Sequence, residues 1–378
     1  MRSFFLFSPM NELIVDAHED LAYSALTFGR NYLQSALETR REEEGTQPPD
    51  LNGQTLLGWP DYQRGRVALV FGTLFIAARG SLSEWETQVY RSADDARHLW
   101  QIQVEYYQRL AGDHPEQFRQ VLTRTDLQQV LAAWREPPSV EGAPATHPVG
   151  VALLMENAEG LGAPHDLEEW YEQGVRLVGP VWAKDGIRFC GGTATGEGFT
   201  REGRELLEVM AGLGLALDLS HMNERSALLA CDRYEGPIAA THANCRALLR
   251  RAEDERHLTD QTIRRLVERG GVMGVPPYAG WLRPGWSPAD DRQRTTLDHL
   301  TAHIDHVCQI AGDARHVGLG TDFDGGWGWP NVPAEINTIG DLPLMAARLA
   351  AAGYAPEDVA AILGGNWIEF LERALPSK

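Results

Sequence analysis

The stretch "IVDAHEDLAYS", residues 14–24, places a histidine and two acids at the end of a short apolar run. On an extended chain, side chains two residues apart leave the same face, so His18 and Asp20 point one way and Glu19 points the other. Burying such groups without partners costs several kcal/mol. The stretch therefore predicts a buried strand that ends in a site with polar chemistry.

Similar apolar runs, rich in β-branched residues, recur along the 378 residues and alternate with segments of helical periodicity. This alternation predicts repeated βα units around a parallel sheet. Eight such strands with intervening helices predict an α/β fold, a closed (β/α)8 barrel of the TIM type. The predicted strands cover residues 12–18, 67–75, 149–157, 175–182, 215–221, 238–244, 271–277 and 317–325.

Four helices are predicted most clearly, and one of them carries signals at both ends. Thr259 is a candidate N-cap, and Gly270 is a candidate stop at the C-terminus of the same helix. The four helices are predicted over residues 199–213, 259–269, 297–311 and 366–375.

The sequence predicts a single domain over residues 1–378, since a chain of this length can bury one large core and shows no internal repeat. Two long polar insertions interrupt the pattern. Residues 38–54, after the first strand, are expected to form a mobile or covering loop over one end of the barrel. Residues 134–148, before the third strand, are expected to form a linker on the other side.

Charge and composition exclude several classes of function. Acidic residues outnumber basic ones by 53 to 34, and the formal charge of −19 disfavours nucleic acids and anionic membranes as partners. The N-terminal apolar patch is too short for a signal peptide or a membrane span, so a cytoplasmic protein is expected. The cysteines show no CxxC spacing, which argues against a thiolate zinc site and a disulfide framework.

Six polar residues fall at the carboxyl ends of the predicted strands, where a parallel barrel builds its active site. Imidazole and carboxylate together suit zinc, or a related ion such as cobalt, manganese or nickel. Three histidines and three acids exceed the needs of one tetrahedral ion, whereas two divalent ions that share a carboxylate use all six. The candidate metal ligands are His18, Asp20, Glu156, His221, His242 and Asp322.

These motifs resemble the membrane (renal) dipeptidases and their bacterial relatives, which are binuclear zinc peptidases of the amidohydrolase-like barrel class. The resemblance extends from "VDAHEDL" near the start of the chain to "LGGNWIEFL" near its end. It implies hydrolysis of small dipeptides that have a free C-terminal carboxylate, by a hydroxide that bridges the two metals. Its strongest parts are "DLSH" at 218–221, "ATHANCRAL" at 240–248, "RHLTD" at 256–260, "HIDHVCQIAGDARHVGLGTDFDGG" at 303–326 and "GGNW" at 364–367.

The resemblance also implies how the ligands divide between the ions. One metal would bind His18 and Asp20, the other would bind His221 and His242, and Glu156 would bridge the two. Glu156 would thereby take part in catalysis.

Two further roles follow from the same resemblance. Asp322 would coordinate or border the first metal and carry the proton, and Arg256 would bind the terminal carboxylate of the substrate, for which a guanidinium fork is suited. Glu159 is a weaker alternative to Glu156, and Asp324 a weaker alternative to Asp322. Arg256 can also be read as an ordinary solvated residue at a helix entry.

Two positions depart from the pattern of the family. Glu19 stands where asparagine is usual. Because its side chain is predicted to point away from the metals, we expect it to change the surroundings of the ligands without loss of metal. Trp182 stands in the substrate-binding position of a histidine that helps to hold the oxyanion. Losing such a donor can raise the barrier by about 2.7–4 kcal/mol, and Lys184, Arg188 or His257 are candidate substitutes.

The residues leave two other functions open. Trp182 and Glu19 favour a binuclear amidohydrolase that acts on another small amide, lactam, lactone or ester. A non-catalytic binding module on a degenerate barrel is the alternative from a different class, and the complete ligand set argues against it. The expected partner is a dipeptide or another small molecule, and a homodimer is among the oligomeric states that the sequence allows.

Overall fold

A computed structural model describes residues 12–80, 85–135, 146–182, 184–249 and 255–377. Each of the eight predicted apolar runs contains a parallel strand, and the strands pair in the order β7-β8-β1-β2-β3-β4-β5-β6. A bridge between Ala240 and Met273 joins the two ends of this order. The predicted (β/α)8 barrel is thus confirmed. Its strands are β1 Ile14–Glu19, β2 Val67–Leu74, β3 Val149–Met155, β4 Val175–Val178, β5 Ala216–Asp218, β6 Ile238–Ala239, β7 Met273–Val275 and β8 Val317–Leu319.

Helices surround the barrel, and within the described ranges none is long and apolar enough to cross a bilayer. An extra short strand, Phe118–Gln120, pairs with the start of β3. The α-helices are Leu21–Phe28, Ala36–Glu42, Pro48–Asn52, Trp59–Gly65, Ala93–Asp113, Arg124–Ala133, Leu167–Glu172, Arg201–Leu213, Glu224–Arg233, Arg246–Leu249, Asp260–Glu268, Ala279–Leu282, Leu297–Ala311, Leu344–Ala351, Pro356–Ala360 and Asn366–Ala374, with a π-helical turn at Ala361–Gly365.

The predicted helix signals act as expected. The side chain of Thr259 accepts a hydrogen bond from the backbone N–H of Thr262, which caps the helix Asp260–Glu268. Gly270 follows that helix with a φ of 67°, a left-handed conformation that favours glycine. All four of the helices that were predicted most clearly lie within two residues of their predicted bounds.

The "GGNW" motif has a structural role on the outside of β8. The Asn366 side chain donates to the carbonyl oxygens of Ala314 and Val317, each at 2.7 Å. The buried indole of Trp367 donates to the carbonyl of Leu319 at 2.9 Å. This motif therefore anchors the last helix to the final strand of the barrel.

The first insertion folds into short helices beside the loop that follows β8. The Asn52 side chain donates to the backbone carbonyl of Asp324 at 2.8 Å, and Arg30 forms an ion pair with the Asp324 carboxylate at 3.1 Å. These contacts place residues 38–54 at the carboxyl end of the barrel. Residues 136–145 of the second insertion lie outside the described residues.

Candidate active site

Side chains from four strand ends meet around one carboxylate oxygen. The Oε1 atom of Glu156, just after β3, lies 3.5 Å from Nε2 of His18, 3.3 Å from Nε2 of His221 and 3.5 Å from Nε2 of His242. These histidines follow from β1, β5 and β6, so residues far apart in the chain meet at one end of the barrel. Three of the sequence-predicted ligands thus point their ring nitrogens at a fourth.

The two remaining predicted ligands lie on the other side of His18. Its Nε2 atom is 3.9 Å from Oδ2 of Asp20 and 3.8 Å from Oδ1 of Asp322. The donor atoms therefore form two overlapping groups, one of His18, Glu156 and His242 and the other of His18, Asp20 and Asp322. The structure brings all six candidate ligands together.

The nitrogens of this site have the surroundings of metal ligands. Nε2 of His18 is buried without a hydrogen-bond partner, and Nε2 of His221 lies 2.9 Å from Nε2 of His242. The opposite side of the His242 ring is bound by the Thr241 hydroxyl at 3.0 Å, and His221 hydrogen-bonds to the backbone of Trp182. Each of these two rings engages another group on its far side, so the nitrogens that face the site are available as lone-pair donors to cations.

Electrostatics support the same conclusion. Burial raises the pKa of Asp20 to about 6, and it raises the pKa of Glu156 and Asp322 well above the usual range, with the charge of Asp20 adding to both. Burial also lowers the pKa of His18, His221 and His242 well below the usual value. Because the acids repel one another and the imidazoles stay neutral, divalent cations fit this donor set.

The backbone around the site is constrained to bring the carboxylates together. His221 and Asp322 adopt positive φ values of 66° and 56°, which are unfavourable for residues with a Cβ atom. At Gly325, an added Cβ would collide with Oδ1 of Asp322 and Oδ2 of Asp20. Glycine is therefore required at position 325 because two carboxylates approach its backbone closely.

Each of these two carboxylates is oriented by a neighbour through its second oxygen. The Thr73 hydroxyl, on β2, donates to Oδ1 of Asp20. The Trp327 indole N–H donates to Oδ2 of Asp322 at 3.2 Å. The oxygens left over, Oδ2 of Asp20 and Oδ1 of Asp322, are the two that face His18.

The two weaker sequence alternatives lie elsewhere. Asp324 is fully buried among residues that flank the first insertion, since it accepts hydrogen bonds from Tyr32 at 3.0 Å and from the Leu56 backbone at 2.9 Å, besides its ion pair with Arg30. Glu159 accepts from the backbone N–H of Arg188 at 2.7 Å. Both acids therefore serve the surrounding structure, and neither lines the cavity described next.

A cavity of about 200 Å³ opens over the candidate ligands. Its walls are mainly aromatic, with Trp182 packed edge-on against Phe75 at 4.9 Å between ring centroids and tilted over His221 at 6.0 Å. Glu86 also lines the cavity, and its carboxylate accepts a hydrogen bond of 2.5 Å from the Tyr23 hydroxyl. The lining comprises Asp20, Tyr23, Phe75, Glu86, Glu156, Trp182, His221, Trp281, Asp322, Gly325, Gly326 and Trp327.

Arg256 lies beside this cavity, next to Trp281 of its wall, and is not among the described residues that line it. Its Nη1 donates to the carbonyl of His242 at 3.0 Å, and its guanidinium stacks over the Trp281 ring at 4.7 Å. Its positive charge acts to lower the pKa of both Glu156 and Asp322, against the larger effect of burial. Arg256 is thus held at the site electrostatically and by contact with a residue of the wall.

The chain matches the sequence profile of one family, described as membrane dipeptidase (peptidase family M19), over residues 10–375. This protein belongs to the membrane dipeptidase family. It is 34% identical over 235 residues to a Klebsiella pneumoniae protein named for the pqqA 5′ region, a match that covers 59% of this chain and 82% of the relative.

Solved structures of similar proteins share the fold. A structure of the dipeptidase AC, a metallopeptidase of family M19, is 25% identical with a TM-score of 0.74, and the match covers 96% of this chain and 99% of that one. A metallopeptidase from Rhodobacter sphaeroides, solved with a phosphinate mimic of L-Ala-D-Ala, is 24% identical with a TM-score of 0.75 and the same coverage. Membership of the family confirms the predicted activity, metal-dependent hydrolysis of dipeptides.

Within this dipeptidase fold, none of the three candidate substitutes for the missing oxyanion donor is among the described residues that line the cavity. The Arg188 guanidinium donates to the carbonyls of Glu159 and Gly162, at 2.7 and 3.0 Å. Lys184 is exposed. His257 is buried behind the wall and stacks edge-on against Trp281. Trp182 therefore takes the wall position, and the described residues that line the cavity with it include no lysine or arginine.

Glu19, the other departure from the dipeptidase pattern, faces away from the cavity as predicted. It is fully buried and accepts a hydrogen bond of 2.5 Å from the Tyr62 hydroxyl. Burial and the nearby charge of Asp16 raise the pKa of Glu19 well above its usual range. Its side chain contacts Tyr62 and Asp16, and Glu19 is not among the described residues that line the cavity.

Several functional residues were missed at the level of sequence. Glu86 and Tyr23 carry no motif, and only the folding of the loop after β2 against the helix after β1 brings them together. Asp218 and Thr241 fall inside the motifs "DLSH" and "ATHANCRAL". Their positions close to two predicted histidine ligands could have identified them from the sequence.

Proposed function

We propose that this protein hydrolyses small dipeptides with free amino and carboxyl ends, using two divalent ions, for which zinc suits the donor set best. The observation that carries the proposal is the convergence of three imidazole nitrogens within 3.5 Å of one Glu156 oxygen, with two more carboxylates beside it. Six such ligands exceed the four that one tetrahedral zinc ion binds.

The proposed division of ligands is the one that the family resemblance implies. One ion would bind His18 and Asp20, with Asp322 at its border, and the other would bind His221 and His242. Glu156 would bridge the two ions, because its Oε1 faces histidines assigned to each of them. When bound, such ions polarise the scissile carbonyl and make water nucleophilic near neutral pH.

The chain's own acids would manage the proton. Asp322 lines the cavity, and its Oδ2 is occupied by the Trp327 indole, so Oδ1 is the oxygen directed at the reaction. A carboxylate beside the reacting atoms can take up a proton and pass it to the leaving amine. Asp322 is accordingly assigned the role of proton carrier.

The two ends of the substrate would meet opposite charges. Arg256 supplies a guanidinium for the terminal carboxylate. Glu86 is the one acid among the described lining residues that does not belong to the candidate ligand set, so it is assigned the ammonium group of the substrate. A cavity of about 200 Å³ favours dipeptides with small side chains.

A second function is favoured by one specific observation. Trp182 stands in the cavity wall where the family pattern has a histidine, and an indole offers one N–H and no charge. Its packing against Phe75 gives the cavity an apolar side. The alternative is a binuclear amidohydrolase that acts on a less polar amide, lactam, lactone or ester.

The test combines metal analysis with a panel of substrates. After reconstitution with Zn²⁺, the protein is expected to hold two ions per chain and to cleave L,L and L,D dipeptides such as Ala-Ala, with N-acyl dipeptides and dipeptide amides turned over more slowly. Turnover of lactams or lactones with no cleavage of any dipeptide would establish the alternative. Fewer than one ion per chain would point to a binding module without catalysis.

A further inference from the structure

We infer that Thr241 is a positioning residue that sets the tautomer of two histidines on opposite sides of the candidate centre. The inference rests on the proposed function, since it assigns His18 to one ion and His242 to the other. Thr241 is itself no candidate ligand. It follows β6 and is fully buried directly beneath both imidazole rings.

One hydroxyl contacts both rings. Oγ1 of Thr241 lies 3.3 Å from Nδ1 of His18 and 3.0 Å from Nδ1 of His242. The same hydroxyl donates to Oδ2 of Asp218, at 2.5 Å. Three strand ends, from β1, β5 and β6, are therefore joined at one oxygen atom.

The single hydrogen of the Thr241 hydroxyl fixes the direction of each hydrogen bond at this oxygen. A hydroxyl has one hydrogen to donate and two lone pairs that accept. Because the hydrogen goes to Asp218, both histidines must donate to Thr241 from Nδ1. Their Nε2 atoms are then left unprotonated, which is the form that a metal binds.

Asp218 is held in the orientation that this arrangement requires. Its Oδ1 accepts from the Ser220 backbone at 3.0 Å, from the Ser220 hydroxyl at 2.8 Å and from the Thr241 backbone at 2.8 Å. With Oδ1 fully engaged, Oδ2 is the oxygen that receives the Thr241 hydroxyl. Asp218 therefore acts on the histidines through Thr241.

His221 is oriented by another device, its hydrogen bond to the backbone of Trp182. A substitution at Thr241 should therefore release one histidine of each ion and leave the third in place. Loss of the hydroxyl is therefore expected to weaken the binding of both ions. A residue that orients only one ligand would affect the binding of one ion.

The experiment compares Thr241→Val, which keeps the shape and loses the hydroxyl, with Thr241→Ser, which keeps the hydroxyl. Zn²⁺ affinity is measured by competition with a chelator. Removing such an outer partner typically costs about 10–100-fold in metal affinity, so we expect a loss of that size for both ions in the valine variant and near wild-type binding in the serine variant. Thr301→Val is the matched control, since that buried hydroxyl bonds only to the Leu297 carbonyl within its own helix.

A second readout needs no metal. In metal-free protein labelled with ¹⁵N-histidine, the nitrogen shifts of His18 and His242 should report protonation at Nδ1 in the wild type and in Thr241→Ser, and a mixture of tautomers in Thr241→Val. If Thr241→Val fails to fold, Asp218→Asn should produce the same mixture. Unchanged tautomers together with unchanged Zn²⁺ affinity would overturn the inference. A wild type that binds no Zn²⁺ would instead overturn the proposed function.

Discussion

The Oε1 atom of Glu156 lies 3.3 Å from Nε2 of His221, although the two residues follow strands β3 and β5 and are separated by a complete βα unit. The same oxygen faces His18 on β1 and His242 after β6. This position supports the bridging role that we propose for Glu156. With a shared ligand, the binding of the two ions should be coupled.

His221→Ala should remove one of the two metal equivalents and lower dipeptide turnover by more than about 100-fold, because even residues behind the ligands cost about 10–100-fold. Elemental analysis and steady-state kinetics measure the two effects. His306→Ala is the matched control, since His306 pairs with Asp260 outside the site. Full activity of the His221 variant would show that the ligand set is misassigned.

Trp182→His should raise kcat for dipeptides, because it restores a donor that can be worth about 100-fold to 1000-fold in rate. Trp182→Phe is the control, since it retains an aromatic wall against Phe75 and offers no N–H. A rise in both variants would mean that steric relief is responsible. An unchanged rate in both would indicate that the natural substrate needs no donor at this position.

Arg256→Ala should raise KM for dipeptides by about 10–100-fold, the value of a hydrogen bond to a charged group, while the matching dipeptide amides change little. Arg256→Lys should recover only part of the loss, since an ammonium cannot form the bidentate contact. Arg264→Ala, an exposed arginine on the next helix, is the control. Equal losses for acids and amides would refute the assigned role.

Glu86→Gln should lower kcat/KM by about 10-fold or more for dipeptides with a free amino group, because it removes the charge opposite the ammonium. The glutamine can still accept the hydrogen bond from Tyr23, so the wall should remain in place. N-formyl dipeptides should be cleaved equally by both proteins, and the exposed Glu235→Gln should have no effect. If N-formyl substrates lose as much, Glu86 acts on the wall and not on the amine.

His303 should make the metal-free protein less stable in mild acid. Burial lowers its pKa from 6.5 to about 3, while its Nδ1 accepts the backbone N–H of Cys245 at 3.0 Å. Stability due to this group is complete above pH 6.5 and is lost as the pH falls towards 3, since only the unfolded chain takes up the proton. At pH 5 the loss is about 2 kcal/mol.

Denaturant titrations at pH 7 and pH 5 test this dependence. In His303→Gln, whose side-chain oxygen can still accept from Cys245, the drop in the free energy of unfolding between the two pH values should be smaller by about 2 kcal/mol. All other titrating groups are common to both proteins and cancel in the difference. An identical drop in both would show that His303 is protonated in the folded protein.

Local patterns along the chain determine much of the fold. Each apolar run forms a strand because its period and β-branched content suit a barrel wall, and helix ends are set by residues such as Thr259 and Gly270. The position of the candidate ligands also follows, because the carboxyl ends of parallel strands share one face. Strand periodicity, helix caps and strand ends are each set by residues close together along the chain, and so they can be predicted from the sequence.

The structure alone decides which groups meet. Asp322 and Asp324 are two residues apart, yet positive φ values of 56° and 64° break the alternation of an extended chain and send one to the ligands and the other to Arg30. Nothing in the sequence brings Glu86 to Tyr23, or Thr241 beneath two imidazoles at once.

The chain by itself thus determined a barrel with metal-competent residues at one end, because hydrophobic period and strand position are local properties. Tertiary structure decided which oxygen is shared, which hydroxyl orients the histidines and how small the cavity over Glu156 is. Those outcomes depend on packing among strand ends and loops far apart in the chain, and packing is determined only when the whole barrel closes.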